Sequence, residues 1–191
     1  RGAEIRTRTK CVAAQRADGG WRLTLEDSRT GGRSEVSAHC LVNAAGPWAS
    51  TVISEIAGLN LPARIRMVKG SHIVVDRVFD HDRAYIFQNS DGRICFAIPY
   101  ETDFTLIGTT DEDFEGDPGS AEISDAETDY LLGAVSEYLE EPITREMIRW
   151  SYSGVRPLYD DGATSATAAT RDYTLKVDTS GGAPLLNVFG G

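Results

Sequence analysis

Four stretches of this sequence carry side chains suited to acid–base, anion-binding or cofactor chemistry. Val68-Lys69-Gly70-Ser71-His72-Ile73-Val74-Val75 reads as a strand, whose period of two sends Lys69 and Ser71 to one face and Gly70 and His72 to the other. A histidine on rigid strand backbone can take a proton near neutral pH, and the same placement suits a structural donor. Trp150-Ser151-Tyr152-Ser153-Gly154-Val155-Arg156-Pro157-Leu158 sets Arg156 at the end of a strand, and Ala169-Thr170-Arg171-Asp172-Tyr173 opens another. If those two strands are neighbours, Arg156 and Arg171 converge as an anion clamp; if not, each suits an ordinary ion pair with Asp160, Asp161 or Asp172. Arg93, opposite a turn, has the same two readings.

The other two stretches concern backbone. Leu41-Val42-Asn43-Ala44-Ala45-Gly46-Pro47-Trp48-Ala49 is an apolar strand delivering small residues into a helix start. Small residues let a ligand approach the main chain, and free N–H groups at a helix start favour a phosphate or an electron-rich ring edge. Close packing alone would ask for the same residues. Val188-Phe189-Gly190-Gly191 places two glycines after an apolar strand, where backbone can pass close to a ring or simply turn.

Composition narrows the partners. The net charge of −10 speaks against a nucleic-acid surface, because phosphate backbones are held by clustered Lys and Arg. It leaves room for a small phosphorylated substrate, which needs only two or three well-placed cations. With three histidines and no Cys or acidic residues at ligand spacing, no metal site is expected. Cys11, Cys40 and Cys95 lie scattered in apolar or strand-like stretches, so buried, inert thiols in a reducing compartment are expected. No apolar run reaches the roughly 18–20 residues of a membrane span, and the chain opens without a secretory pattern.

The elements that must position these residues follow from patterning. A strand from Ile5 to Ala13 turns at Asp18-Gly19-Gly20 into a strand from Trp21 to Glu26, and a further strand runs from Glu35 to Asn43. Pro47 suits the first turn of a helix over Trp48 to Ala57, closed by Gly58. Strands follow over Arg66–Val78, Arg83–Gln88, Arg93–Pro99 and Phe104–Thr109, with short turns that imply antiparallel pairing. Ser124 to Glu140 reads as a helix with Ser124 as N-cap and Glu127 at the capping-box position. Strands over Ile148–Val155, Tyr173–Val177 and Pro184–Phe189 complete an α+β fold, mostly antiparallel sheet.

Taken together, NAAGPWA, RMVKGSHIVV, the stretch Ile107 to Pro118 (IGTTDEDFEGDP), YSGVRPL, ATRDYTL and VFGG resemble the FAD-dependent, quinone-linked glycerol-3-phosphate dehydrogenases from about Leu41 onward. The resemblance implies a substrate-binding antiparallel-sheet domain with part of an FAD-binding domain attached: 1–60 partial FAD-binding domain, 61–178 substrate domain, 179–191 a strand returning to the FAD-binding domain. It implies hydride transfer from C2 of sn-glycerol 3-phosphate to FAD, giving dihydroxyacetone phosphate, with electrons passing to a quinone. Asn43, Ala44, Ala45, Gly46, Trp48, Gly190 and Gly191 then match backbone beside the FAD. His72, Arg93, Arg156 and Arg171 match the substrate pocket, with Arg171 on the phosphate and Arg156 and His72 orienting and deprotonating the C2 hydroxyl.

No Gly-x-Gly-x-x-Gly follows a first strand, so the segment that cradles the pyrophosphate is expected outside this chain, which then reads as an internal portion of a longer enzyme, inactive alone. The resemblance further implies a cytoplasmic protein, peripheral on the inner face of the cell membrane through parts outside this portion, and allows a homodimer. The Ser124–Glu140 helix is acidic and suits solvent rather than anionic lipid. Two other readings stand beside this one. A flavin-dependent amine or amino-acid oxidase would turn an arginine on a carboxylate, and a flavin-free binding domain would have borrowed the fold.

Overall fold

A computed structural model describes residues 2–61, 65–160, 162, 164 and 169–190. The chain is α+β and divides into two units: residues 1–65 with 171–191, and residues 66–170.

In the first unit, β1 (Thr9–Ala17), β2 (Gly20–Asp27) and β3 (Arg33–Ala38) form an antiparallel meander. The β1–β2 turn has Asp18 and Gly19 both at positive φ, the conformation a two-residue hairpin loop demands. Trp21 and Leu23 of β2 face inward and pack with Ala14, Ala183 and Leu185. A second sheet sets β12 (Leu185–Phe189) between β11 (Thr174–Asp178), antiparallel to it, and β4 (Leu41–Asn43), parallel to it. Two ties bind the meander to this returning segment. The Trp21 indole donates to the Pro184 carbonyl at 2.9 Å, and Arg16 reaches the Ala183 carbonyl and Asp178 Oδ2 at 2.9 and 2.6 Å. Ser180 hydroxyl donation and the Arg16 guanidinium hold the Asp178 carboxyl down to about 2.

The expected boundary at 178 would assign β11 to the substrate domain. Its full ladder with β12, from Thr174 opposite Phe189 to Asp178 opposite Leu185, instead places β11 in the first unit, which begins again at Arg171. The helix expected over Trp48 to Ala57 is broken into three short pieces: a 3-10 turn Gly46–Trp48 with Pro47 inside it, one α turn α1 (Ala49–Thr51), and a π turn Val52–Ile56. The β-branched run Thr51-Val52-Ile53 is a poor α former, consistent with the widened turn.

The second unit is a six-stranded sheet in the order β10 (Ile148–Tyr159), β5 (Ile65–Asp76), β8 (Phe104–Gly108), β7 (Ile94–Tyr100), β6 (Tyr85–Gln88), with β9 (Glu112–Asp113) also paired to β5. Helix α2 (Asp125–Ser136) covers one face, burying Leu131, Leu132 and Val135 against Ile73, Val75, Phe87, Cys95, Ala97 and Ile107. Burying the Leu, Ile, Val and Phe side chains among them supplies roughly 1.5–3 kcal/mol each. Helix α2 starts with the expected capping box: Ser124 Oγ accepts from the Glu127 N–H, and the Glu127 carboxylate accepts from the Ser124 N–H. Strand β10 runs four residues beyond its expected end at Val155, carrying Pro157 within it.

Of the three thiols only Cys95 is buried, and burial pushes it up to about 11; Cys11 is half-buried. Cys40 is exposed, because it sits in the connection between β3 and β4 rather than inside the strand expected there.

Candidate functional site

In the first unit, the site is a strand end. Strands β4 and β12 run parallel with Asn43 opposite Asn187, so the Asn43–Gly46 turn and Gly190 leave the pair at the same, carboxyl end. Ligands of open α/β sheets bind outside carboxyl ends of parallel strands. Asn43 is buried, and its side chain fixes this turn: Nδ2 donates to the Ala49 carbonyl and to Asn187 Oδ1, both at 2.9 Å, while Oδ1 accepts from the Ala45 N–H at 3.3 Å. Gly46 and Gly190 both take positive φ, 57° and 77°, where a side chain would be strained. Trp48 is about half exposed. Asn43, Ala44, Ala45, Gly46 and Trp48 are thus gathered with Gly190 at one strand end, and Gly191 lies outside the described residues. A small-residue turn at the carboxyl end of parallel strands fits the close approach of a flavin nucleotide to backbone. Asn43→Ala leaves Asn187 Oδ1 and the Ala49 carbonyl without their donor, and is expected to cost about 1–3 kcal/mol, read as a lowered urea midpoint.

In the second unit, the sheet face opposite α2 carries two of the expected site residues, His72 and Arg156. Alternation along β5 places Ser71 beneath α2 and Gly70 and His72 on the opposite face, as the period of two requires. Each glycine there makes room for a functional side chain. A Cβ on Gly70 would come within 2.6 Å of the Arg156 guanidinium, and a Cβ on Gly108, directly across the ladder from His72, would come within 2.7 Å of three imidazole atoms. Arg156 is held by Asp111 Oδ1 at 2.8 Å and Thr109 Oγ1 at 3.0 Å. His72 lies parallel to the Tyr152 ring, 4.8 Å between centroids, and its Nδ1 is buried with no hydrogen-bond partner among the described residues. Burial pushes the imidazole below its ordinary value, and the Arg156 charge adds to that, so at neutral pH His72 is an uncharged base beside a fixed cation.

Beneath that face a buried polar network holds the same backbone. Glu127, only 1% exposed, accepts from Ser71 Oγ and Thr110 Oγ1 at 2.7 Å through Oε1, and pairs with Lys69 Nζ at 2.8 Å through Oε2. Thr110 Oγ1 in turn accepts the Ser71 N–H at 2.9 Å. Burial alone would raise the Glu127 carboxyl; Lys69, the Ser124 N–H, Thr110 and Ser71 outweigh it and hold it at about 2. Residues 69–71 and 110 are thereby locked from below, next to His72 and to the Thr109 and Asp111 groups that grip Arg156.

His72 and Arg156 are therefore brought together, and Arg93, the third expected residue of this unit, is not. Arg93 shares the parity of Cys95 and lies on the helix-covered side, its guanidinium 3.5 Å from the centre of the Tyr130 ring and paired with Asp91 at 2.6 Å. It is a structural cation of the β6–β7 turn, with no place beside His72. Strands β10 and β11 belong to different sheets, so the adjacency that would converge Arg156 with Arg171 through strand pairing is absent; Arg171 precedes β11 in the first unit. Among the described residues Arg156 pairs with Asp111, and Asp161 lies outside them. Thr109, Asp111 and Tyr152 are not singled out by the sequence, and Glu127 is marked there only as a capping-box residue. For Glu127 a signal existed: it shares a buried face with Lys69 and Ser71, and a capping-box carboxylate can serve both.

Among the described residues no group of His, Cys, Asp and Glu is arranged to hold a metal ion, and no helix is long and apolar enough to cross a membrane. The chain is 47% identical over 191 residues to D-erythritol 1-phosphate dehydrogenase of Brucella abortus and 46% identical over 192 residues to aerobic glycerol-3-phosphate dehydrogenase of Escherichia coli, in each case across the whole chain. It spans 38% of the length of each of these curated relatives. The glycerol-3-phosphate dehydrogenase of Bacillus halodurans, solved in complex with FAD, superimposes with a TM-score of 0.75 at 27% identity, covering 96% of this chain and 34% of that one. Iminodiacetate oxidase from Chelativorans, at 15% identity and a TM-score of 0.61 over 92% of this chain and 42% of that one, shares the fold. The family described as FAD dependent oxidoreductase matches residues 1–182, and the chain belongs to it.

Proposed function

We propose that the full-length protein oxidises the C2 hydroxyl of sn-glycerol 3-phosphate to dihydroxyacetone phosphate, with FAD as hydride acceptor and a quinone as the final oxidant. The carrying observation is His72 set beside the fixed guanidinium of Arg156 on a glycine-lined sheet face, where burial and that charge lower its pKa. Oxidising a secondary alcohol requires one group to take the hydroxyl proton as hydride leaves carbon, and a second to polarise and orient that oxygen. His72 suits the first task and Arg156 the second. Bound FAD would supply the two-electron acceptor, held at the Asn43–Gly46 turn and Gly190. The cation for the substrate phosphate is assigned to Arg171 on the sequence resemblance of ATRDYTL. The reading extends to a protein peripheral on the cytoplasmic face of the cell membrane through segments outside this chain.

Support for a phosphorylated polyol also comes from the relatives named above, two of which are a glycerol 3-phosphate and an erythritol 1-phosphate dehydrogenase at nearly equal identity. The four-carbon polyol phosphate is therefore the second substrate to test. Reduction of an artificial acceptor by the full-length protein is expected with sn-glycerol 3-phosphate, and not with sarcosine. Arg171→Ala is expected to raise KM for the phosphate ester by roughly 10–100-fold, the worth of a charge-assisted hydrogen bond, while leaving the poor oxidation of unphosphorylated glycerol unaltered. Oxidation of sarcosine with indifference to both phosphates would move the protein to the amine-oxidase branch. Preference for D-erythritol 1-phosphate would keep the mechanism and change the substrate.

A further inference from the structure

A catalytic histidine is commonly oriented through its second nitrogen, which donates to a carboxylate or carbonyl. His72 has no such tether: Nδ1 is buried and without a hydrogen-bond partner among the described residues. Its ring is bounded on one side by Gly108, so close that any Cβ there would overlap Cδ2, Cγ and Nε2. It is bounded elsewhere by the Tyr152 ring, tilted only 5° from it at 4.8 Å. Tyr152 is itself backed by Trp150, 5.2 Å away, on the same face of β10.

We infer that Tyr152 is the positioning residue of His72: with the bare backbone of Gly108 it forms a flat slot that holds the imidazole plane by packing, where a hydrogen bond to Nδ1 would otherwise do so. This rests on the reading of His72 as proton acceptor. A planar side chain is needed, because an offset-stacked ring restrains rotation about the imidazole χ2 torsion while a flexible aliphatic does not. A hydroxyl is not needed. The charged group facing His72 is Arg156 of the same strand β10, already paired with Asp111, and Gly108 of β8 contributes no charge. Omitting a carboxylate behind His72 also leaves the imidazole uncharged before substrate arrives, which is the state a base requires.

The test combines geometry with kinetics in the full-length flavoprotein. With histidine- and glycine-selective labels, a nuclear Overhauser cross-peak between His72 Hδ2 and the Gly108 α-protons is expected in the wild type and in Tyr152→Phe, and is expected to vanish in Tyr152→Ala and Tyr152→Leu. The leucine variant keeps apolar bulk, so it covers the case in which the alanine variant does not fold. In parallel kcat for sn-glycerol 3-phosphate is expected to fall roughly 10–100-fold in the alanine and leucine variants with KM changed less than about threefold, and to return toward wild type in Tyr152→Phe. A His72–Gly108 cross-peak that survives in both the alanine and leucine variants would overturn the inference whatever the activity. Its disappearance from both variants of a protein that oxidises no polyol phosphate would leave the slot standing and remove the proposed function instead.

Discussion

Replacing His72 by alanine in the full-length protein is expected to lower kcat/KM for sn-glycerol 3-phosphate by about 100- to 10,000-fold, the span that general-base groups supply. The loss should sit in kcat, because the phosphate is held by other groups. The wild-type pH profile carries the same assignment. Burial and then Arg156 lower the His72 pKa from the ordinary 6.5. A base works unprotonated, so kcat/KM is expected to hold as pH falls through 6.5 and to drop only at lower pH. In His72→Ala that acid limb should vanish. A near-normal rate in the variant would take His72 out of the mechanism, and an acid limb midpoint above 6.5 would contradict the desolvated environment.

The second large effect concerns stability. Glu127→Ala is expected to cost about 3–5 kcal/mol, because it strips Lys69 of its buried counter-charge and takes an acceptor from Ser71, Thr110 and the Ser124 N–H at one stroke. Its pH dependence has a definite sign. The folded carboxyl titrates at about 2 against 4.5 in its unperturbed state, so the unfolded chain binds the proton more readily. The contribution is complete above about pH 4.5 and is lost as pH falls from there toward about 2. Urea midpoints measured across pH 3 to 7 should therefore decline on the acid side in the wild type and be flatter in Glu127→Gln. A cost below about 1 kcal/mol for the alanine variant would show that Lys69 and the two hydroxyls find other partners.

Much of the second unit could be read in advance because strand alternation is strict. Once Ile73, Val75 and Ser71 are on one side of β5, Gly70 and His72 have to be on the other, and no tertiary contact can change that. The capping box at Ser124 and Glu127 was legible for the same reason: it is local chemistry fixed by backbone geometry. What escaped were relations set by distant segments. Asp111 lies 45 residues from Arg156 and meets it only because β8 and β10 flank β5. Arg93 was misplaced although its parity with Cys95 pointed to the helix side, since an arginine on an apolar face is unexpected until Tyr130 is there to stack on it. The boundary at 178 failed because β11 has no sequence mark distinguishing a partner in β12 from one in the larger sheet.

The parallel pairing of β4 with β12 also sets a timetable for biosynthesis. Asn43 and Asn187, which bond to one another, are separated by 144 residues. At roughly 5–20 residues per second on the ribosome, β4 waits about 7–30 s for the strand that completes it. The whole of the second unit is encoded between them, with its own core and short hairpin connections, and so emerges and can fold first. Until then the edge of β4 that pairs with β12 stands without its partner, an unpaired strand edge of the kind that invites association with other chains.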